Sequence, residues 1–233
     1  MTIEEQGDAR RVERIDGPGE GPARAPAREP FLRAPWPAAA LSVLFLALYG
    51  LQSLAGDPQA IASTFGFSPA ALAAGRWTGL FTALFVHGGW PHVFLNSLGA
   101  LAFGAPLARL FGRGAAAAVV FFGFFLVCGV VSSLGYAAVH WGAPYVLVGA
   151  SGGVSGLMGA ASRLIERRGA LAPFTSHTVI GMAAAWAIVN VVIGWVGLAA
   201  ISGGAPIAWE AHLVGYAVGL VLIGPVAHAL GRA

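Results

Sequence analysis

Charge is what this chain has least of. Only 10% of its 233 residues are Asp, Glu, Lys or Arg while 57% are hydrophobic, and a soluble domain of this size cannot keep that much apolar surface from water. Lysine is absent altogether, so all thirteen basic residues are arginine. A single cysteine, Cys128, lies in an apolar run; this excludes a disulfide framework and a thiolate-rich metal site, and leaves a small buried hydrophobe. Short segments of alternating polarity are missing, which excludes a membrane β-barrel. Charged pairs deep in the apolar runs and two recognisable half-repeats are missing as well, and a small transporter would be expected to carry them.

What is present is a set of apolar runs long enough to cross a bilayer as helices. Six are expected, at about Pro37 to Leu54, Pro91 to Leu110, Ala115 to Ala138, Gly149 or Ser151 to Ile165, Phe174 to Leu198, and Ala211 to Ala229. The fourth is short. Twelve of the thirteen arginines fall in the amino-terminal stretch, after every second run, or at the carboxyl end, and Arg76 alone breaks that pattern. The positive-inside rule then predicts an all-α bundle of six spans with both termini cytoplasmic. The pI near 9.6 reports this topology and no nucleic-acid surface. Residues 1–35 mix six arginines with seven acidic residues among Gly, Pro and Ala, and are expected to be a disordered cytoplasmic tail ahead of a membrane domain over 36–233. Its acidic content fits neither a signal peptide nor a mitochondrial transit sequence. Between the first two spans, Trp77 to Val86 (WTGLFTALFV) is apolar but too short to cross, and reads as an interfacial or re-entrant helix.

Depth brings scattered polar residues together. Ser151 stands fourteen residues before Ile165, His212 sixteen before His228, and His92 and Asn96 seventeen and thirteen before Arg109. At about 1.5 Å per residue these are roughly 21, 24, 26 and 20 Å from the inner face of a core about 30 Å thick. Four polar groups on three spans thus share the outer third of the membrane, where each is costly unless it meets a partner or a cavity.

Their chemistry is complementary. A serine hydroxyl needs a base, which His212 can be. His92 and Asn96, four apart, share a helix face and can both donate to one point, and the Ser151 amide in the first turn of its helix is a further donor. Nucleophile, base and oxyanion donors are the parts for serine hydrolysis of an amide. A metal set of His87, His92, His212 and Glu210 is the rival, but no HExxH spacing supports it, and neither a metal nor a cofactor is expected. Asn190 reads as an interhelical hydrogen-bonding residue, and Ser132 and Ser133 as bonded to preceding carbonyls of their own helix.

Three motifs in order, His87-Gly-Gly-Trp-Pro-His92 with Asn96 (HGGWPHVFLN), Gly149-Ala-Ser151-Gly152 (GASG), and Ala211-His212 with Gly215 and Gly219 (AHLVGYAVG), resemble the rhomboid family of intramembrane serine proteases over about Trp77 to Gly219. The resemblance implies a six-helix bundle in which Ser151 is the nucleophile and His212 the base, without a carboxylate third member. It implies that His92, Asn96 and the Ser151 amide form the oxyanion hole. Gly149, Gly152, Gly215 and Gly219 would serve close packing, the loop from Ala199 to Glu210 with Trp209 would cap the cavity, and the fifth helix with Trp186 would be a lateral gate. The implied substrates are single-pass membrane proteins in the bilayer, with a bacterial inner membrane as the expected location; the alternative is a rhomboid-like protein that binds membrane helices without cutting them.

Three positions depart from the family pattern. Ser155 stands where a Tyr or Phe usually stacks on the histidine, Trp77-Thr78 replaces a Trp-Arg pair, and Ala108 replaces a glutamate. Trp186 and Tyr216 are the aromatics able to take over at His212. Ser155 itself is expected to pack and to bond back to the Ser151 carbonyl.

Overall fold

The computed structural model describes residues 34–166, 170–196 and 207–232. The tail expected over residues 1–35 lies almost wholly outside the described residues, as do Arg167, Arg168, Leu198 and most of the Ala199 to Glu210 loop.

The described chain is helical, with one isolated antiparallel bridge between Phe67 and Leu147. Helix α1 spans Trp36–Leu54, followed by the short α2 (Pro58–Phe65), α3 (Pro69–Ala73) and α4 (Gly79–Thr82), the last continuing into a 3₁₀ turn over Ala83–Phe85. The long helices α5 (Trp90–Phe111) and α6 (Ala115–Val139) come next, then α7 (Ser151–Ile165), α8 (His177–Val196) and α9 (Trp209–Ala229). Local chemistry sets several ends. Pro91 occupies the first turn of α5, where its missing N–H costs nothing. The Asp57 carboxylate caps α2 by accepting from the amides of Gln59 and Ala60.

Among the described residues five helices, α1, α5, α6, α8 and α9, are long and apolar enough to cross a membrane. Exposed Leu54, Val119, Trp195 and Val196 give their outer surfaces an apolar character that suits lipid. The fourth expected span, α7, has fifteen residues, about 22 Å of helix, and falls short of a hydrocarbon core of about 30 Å. It is instead the centre of the molecule: nine of its fifteen residues are buried.

Glycine makes that burial possible. Along the seam between α7 and α9, a Cβ on Gly215 would run into the Gly152 carbonyl, and one on Gly219 into the Gly156 carbonyl. Helix α6 closes in as well: Gly153 faces the Phe125 ring and Gly156 faces Cys128. Each helical glycine costs about 1 kcal/mol of intrinsic propensity, which the close backbone approach offsets through dispersion contact along the whole seam.

The apolar stretch from Trp77 to Val86 forms no single interfacial helix. It folds as α4 and the 3₁₀ turn, with Leu80, Ala83 and Leu84 buried and the Leu84 side chain set against Gly129 of α6. Much of its hydrophobicity therefore serves packing within the protein.

Candidate active site

The approach to Ser151 is fixed from its amino-terminal side. Phe67 and Leu147 exchange both backbone hydrogen bonds, at 2.9 and 2.7 Å, and the Gly149 amide donates to the Ala83 carbonyl at 2.9 Å. Gly149 then turns with φ +121°, a region that L side chains rarely adopt, and its Cα faces the His92 ring so closely that no Cβ would fit. Glycine is thus required there twice over. Helix α7 starts directly afterwards at Ser151, and the first amide bonded back into the helix is that of Val154, on Ala150. The Ser151 amide is therefore one of the unpaired first-turn donors.

His212, in the first turn of α9, brings its Nε2 to 2.7 Å from Ser151 Oγ. On the other side of the ring, His212 Nδ1 is 2.7 Å from Asn190 Oδ1, a contact from α8. The Asn190 amide nitrogen donates to the Trp186 carbonyl at 2.8 Å. Trp186 also places its indole beside the imidazole, with ring centroids 6.3 Å apart and planes tilted by 36°. Of the two aromatics expected to replace the ring absent at Ser155, it is Trp186 that stands next to His212. Tyr216 is buried in the seam of α9.

His92 and Asn96 sit one turn apart on α5. The Gly88 amide approaches His92 Nδ1 at 3.4 Å, so Nδ1 accepts and Nε2 carries the proton. Asn96 is buried and donates one amide hydrogen to the His92 carbonyl at 3.1 Å, leaving its second hydrogen free. Ser151, His212, His92 and Asn96 all line one cavity of about 520 Å³ bounded by α5, α6, α7, α8 and α9. Exposed Leu95 and Leu98 of α5 border it too, so it opens along that flank.

Two local expectations are corrected, and the residues of the rival metal set are found apart. The Ser155 hydroxyl makes no bond to the Ser151 carbonyl; Ser155 is buried and borders the cavity. Ser132 does not bond within its own helix, since its hydroxyl donates across to the Ala211 carbonyl at 2.7 Å and so ties α6 to the residue before His212. His87, His92, His212 and Glu210 do not assemble as ligands: Glu210 is 3.1 Å from His140, and the described residues contain no cluster of three or more metal-ligating side chains. Trp209, at the start of α9, packs on Gly194 of α8. The link from Asn190 to His212 was missed by sequence reasoning; its one signal is that Trp186 and Asn190 are four apart and share a helix face.

A bundle of membrane-length helices thus encloses a hydroxyl–imidazole pair beside amide and imidazole side chains. The rhomboid domain model matches residues 74–228, well over half of the sequence, and the chain belongs to the rhomboid family, whose members are generally serine proteases. Comparison with curated proteins found no match.

Proposed function

We propose that this integral membrane protein is a serine endopeptidase that cuts single-pass membrane proteins within or beside their transmembrane segment. The single observation carrying the reading is the 2.7 Å contact between Ser151 Oγ and His212 Nε2 inside a cavity that His92 and Asn96 also line.

In this reading His212 Nε2 takes the Ser151 proton as Oγ bonds to the scissile carbonyl carbon. The oxygen that gains the negative charge is met by the Ser151 amide, the free hydrogen of Asn96 Nδ2 and the Nε2–H of His92. His212 passes its proton to the departing amine, the C–N bond breaks, and an ester to Ser151 remains. A water molecule, deprotonated by the same nitrogen, then releases the acid product. A helical substrate must unwind locally first, because its amides are covered and already hydrogen-bonded.

The arginine distribution supports six crossings with both termini cytoplasmic, α7 being the short central span and residues 1–35 a tail outside the membrane domain, and a bacterial inner membrane is the location this reading adopts. Helix α8 fits the role of lateral gate, since Val179 and Asn190 are its only buried residues among those described. Trp186 and Trp209 hold it on the side of His212.

The test is cleavage of a model substrate with an alanine-rich, helix-weak transmembrane segment by purified protein in bilayers. Wild type should cut, Ser151→Ala and His212→Ala should not, and a fluorophosphonate should label Ser151 only in a protein with His212 intact. Binding of the substrate without cutting, and no labelling of wild type, would instead favour a helix-binding protein.

A further inference from the structure

Asn190 is the most buried polar side chain of α8, at 1% exposure in a helix that otherwise buries only Val179 among its described residues. A polar residue is costly at such a place unless every bond it makes is needed. Its two bonds determine each other. The Trp186 carbonyl can only accept, so the Asn190 nitrogen must face it, at 2.8 Å. The flipped amide would set two acceptor oxygens against each other. Asn190 Oδ1 is therefore the atom facing His212 Nδ1, at 2.7 Å, and as an oxygen it too can only accept. It follows that Nδ1 carries the ring proton. The lone pair is then on Nε2, 2.7 Å from Ser151 Oγ, where it can receive the serine proton. The other neutral tautomer would point an N–H at the serine and could receive nothing.

We propose that Asn190 is a positioning residue for this reaction, the third member of a Ser151–His212–Asn190 relay, which holds the imidazole in its Nδ1–H form. The inference rests on the protease reading for its catalytic consequence, while the tautomer it assigns stands independently of activity. The amide performs without charge what a carboxylate does in a Ser-His-Asp triad: it orients the ring and selects the tautomer. It spares the membrane interior a buried anion. It gives less help than a carboxylate to the imidazolium that forms in the transition state, so removing it should cost less than the ~10⁴-fold typical of a soluble triad. Because Asn190 belongs to α8 whereas His212 belongs to α9, base and orienting group reside on different helices.

The experiment compares wild type, Ser151→Ala, Asn190→Leu and Asn190→Asp in bilayers. Leu matches the shape of Asn without an acceptor; an Asp oxygen accepts from Nδ1–H in either protonation state. Asn190→Leu is expected to lower kcat by about 10- to 100-fold with KM changed less than about twofold, and Asn190→Asp to recover at least part of that loss. Nitrogen-15 shifts of His212 should show Nε2 unprotonated in wild type and in Ser151→Ala, and a mixture of tautomers in Asn190→Leu. Unchanged kcat and an unchanged tautomer in Asn190→Leu would overturn the proposal, as would an Asp variant no better than Leu, which would reduce Asn190 to packing. A wild type that neither cuts nor labels would sink the protease reading, and the nitrogen shifts would still decide the tautomer.

Discussion

Gly215 of α9 faces the carbonyl of Gly152 of α7 with no room for a methyl group between them, and Gly219 stands in the same relation to Gly156 one turn along. The first contact lies one residue from Ser151 and three from His212, so the packing of two backbones sets the spacing of the reactive pair.

Alanine at either α9 position should therefore be costly. Gly215→Ala and Gly219→Ala are expected to destabilise the protein by about 1–3 kcal/mol or more, since the obstacle is backbone and cannot rotate away. Gly181→Ala in α8 is the control: open space surrounds that position, and stability should stay within about 1 kcal/mol of wild type. Thermal unfolding in detergent measures all three, and equal behaviour would refute the seam.

The oxyanion donors make a second prediction. Replacing Asn96 by Ala or His92 by Ala should each lower kcat by about 10²- to 10³-fold with little change in KM, because the lost hydrogen bond strengthens only as charge develops. Labelling of Ser151 by a fluorophosphonate should slow in parallel. A rise in KM at unchanged kcat would instead place these residues in ground-state substrate binding.

A third concerns the loop in front of α5. The Gln52 side chain both donates to the His87 carbonyl at 2.6 Å and accepts from the His87 amide at 3.1 Å, pinning the turn that leads to His92. Gln52→Ala strips two backbone groups of their partner and should cost about 1–3 kcal/mol. Gln52→Glu keeps the acceptor but not the donor and should fall in between. Chemical denaturation in mild detergent would resolve the order, and an alanine variant as stable as wild type would show the clamp to be dispensable.

Much of this was legible in residue order. Pro91 and Gly149 mark the starts of α5 and α7 through backbone chemistry, as a first-turn proline and a glycine at positive φ. Depth counting from Arg109, Ile165 and His228 groups Ser151, His212, His92 and Asn96, and all four border one cavity. The helix faces were harder to read. Helix α8 is apolar nearly all round, so periodicity does not say which side turns inward, and the contact of Asn190 with His212 depends wholly on that rotation. Ser132 illustrates the same difficulty: a bond to its own helix and a bond to the Ala211 carbonyl are equally open to a serine in an apolar run, and only the crossing of α6 and α9 decides between them. The stretch from Trp77 to Val86 reads as interfacial or re-entrant because it is too short to span, yet shortness fits the observed burial of Leu80 and Leu84 equally well.

Helix α7 has fifteen residues, whereas the five membrane-length helices run from nineteen to twenty-five. If the protease reading holds, a column that much lower than its surroundings would leave a well above it with Ser151 at the floor. Solvent would descend that shaft from the aqueous side and arrive at an acyl ester without passing through lipid, while a polypeptide still embedded in the bilayer would have only a sideways route to the same spot. The two reactants of hydrolysis would then come from perpendicular directions, and the stature of one helix would be enough to keep their paths apart.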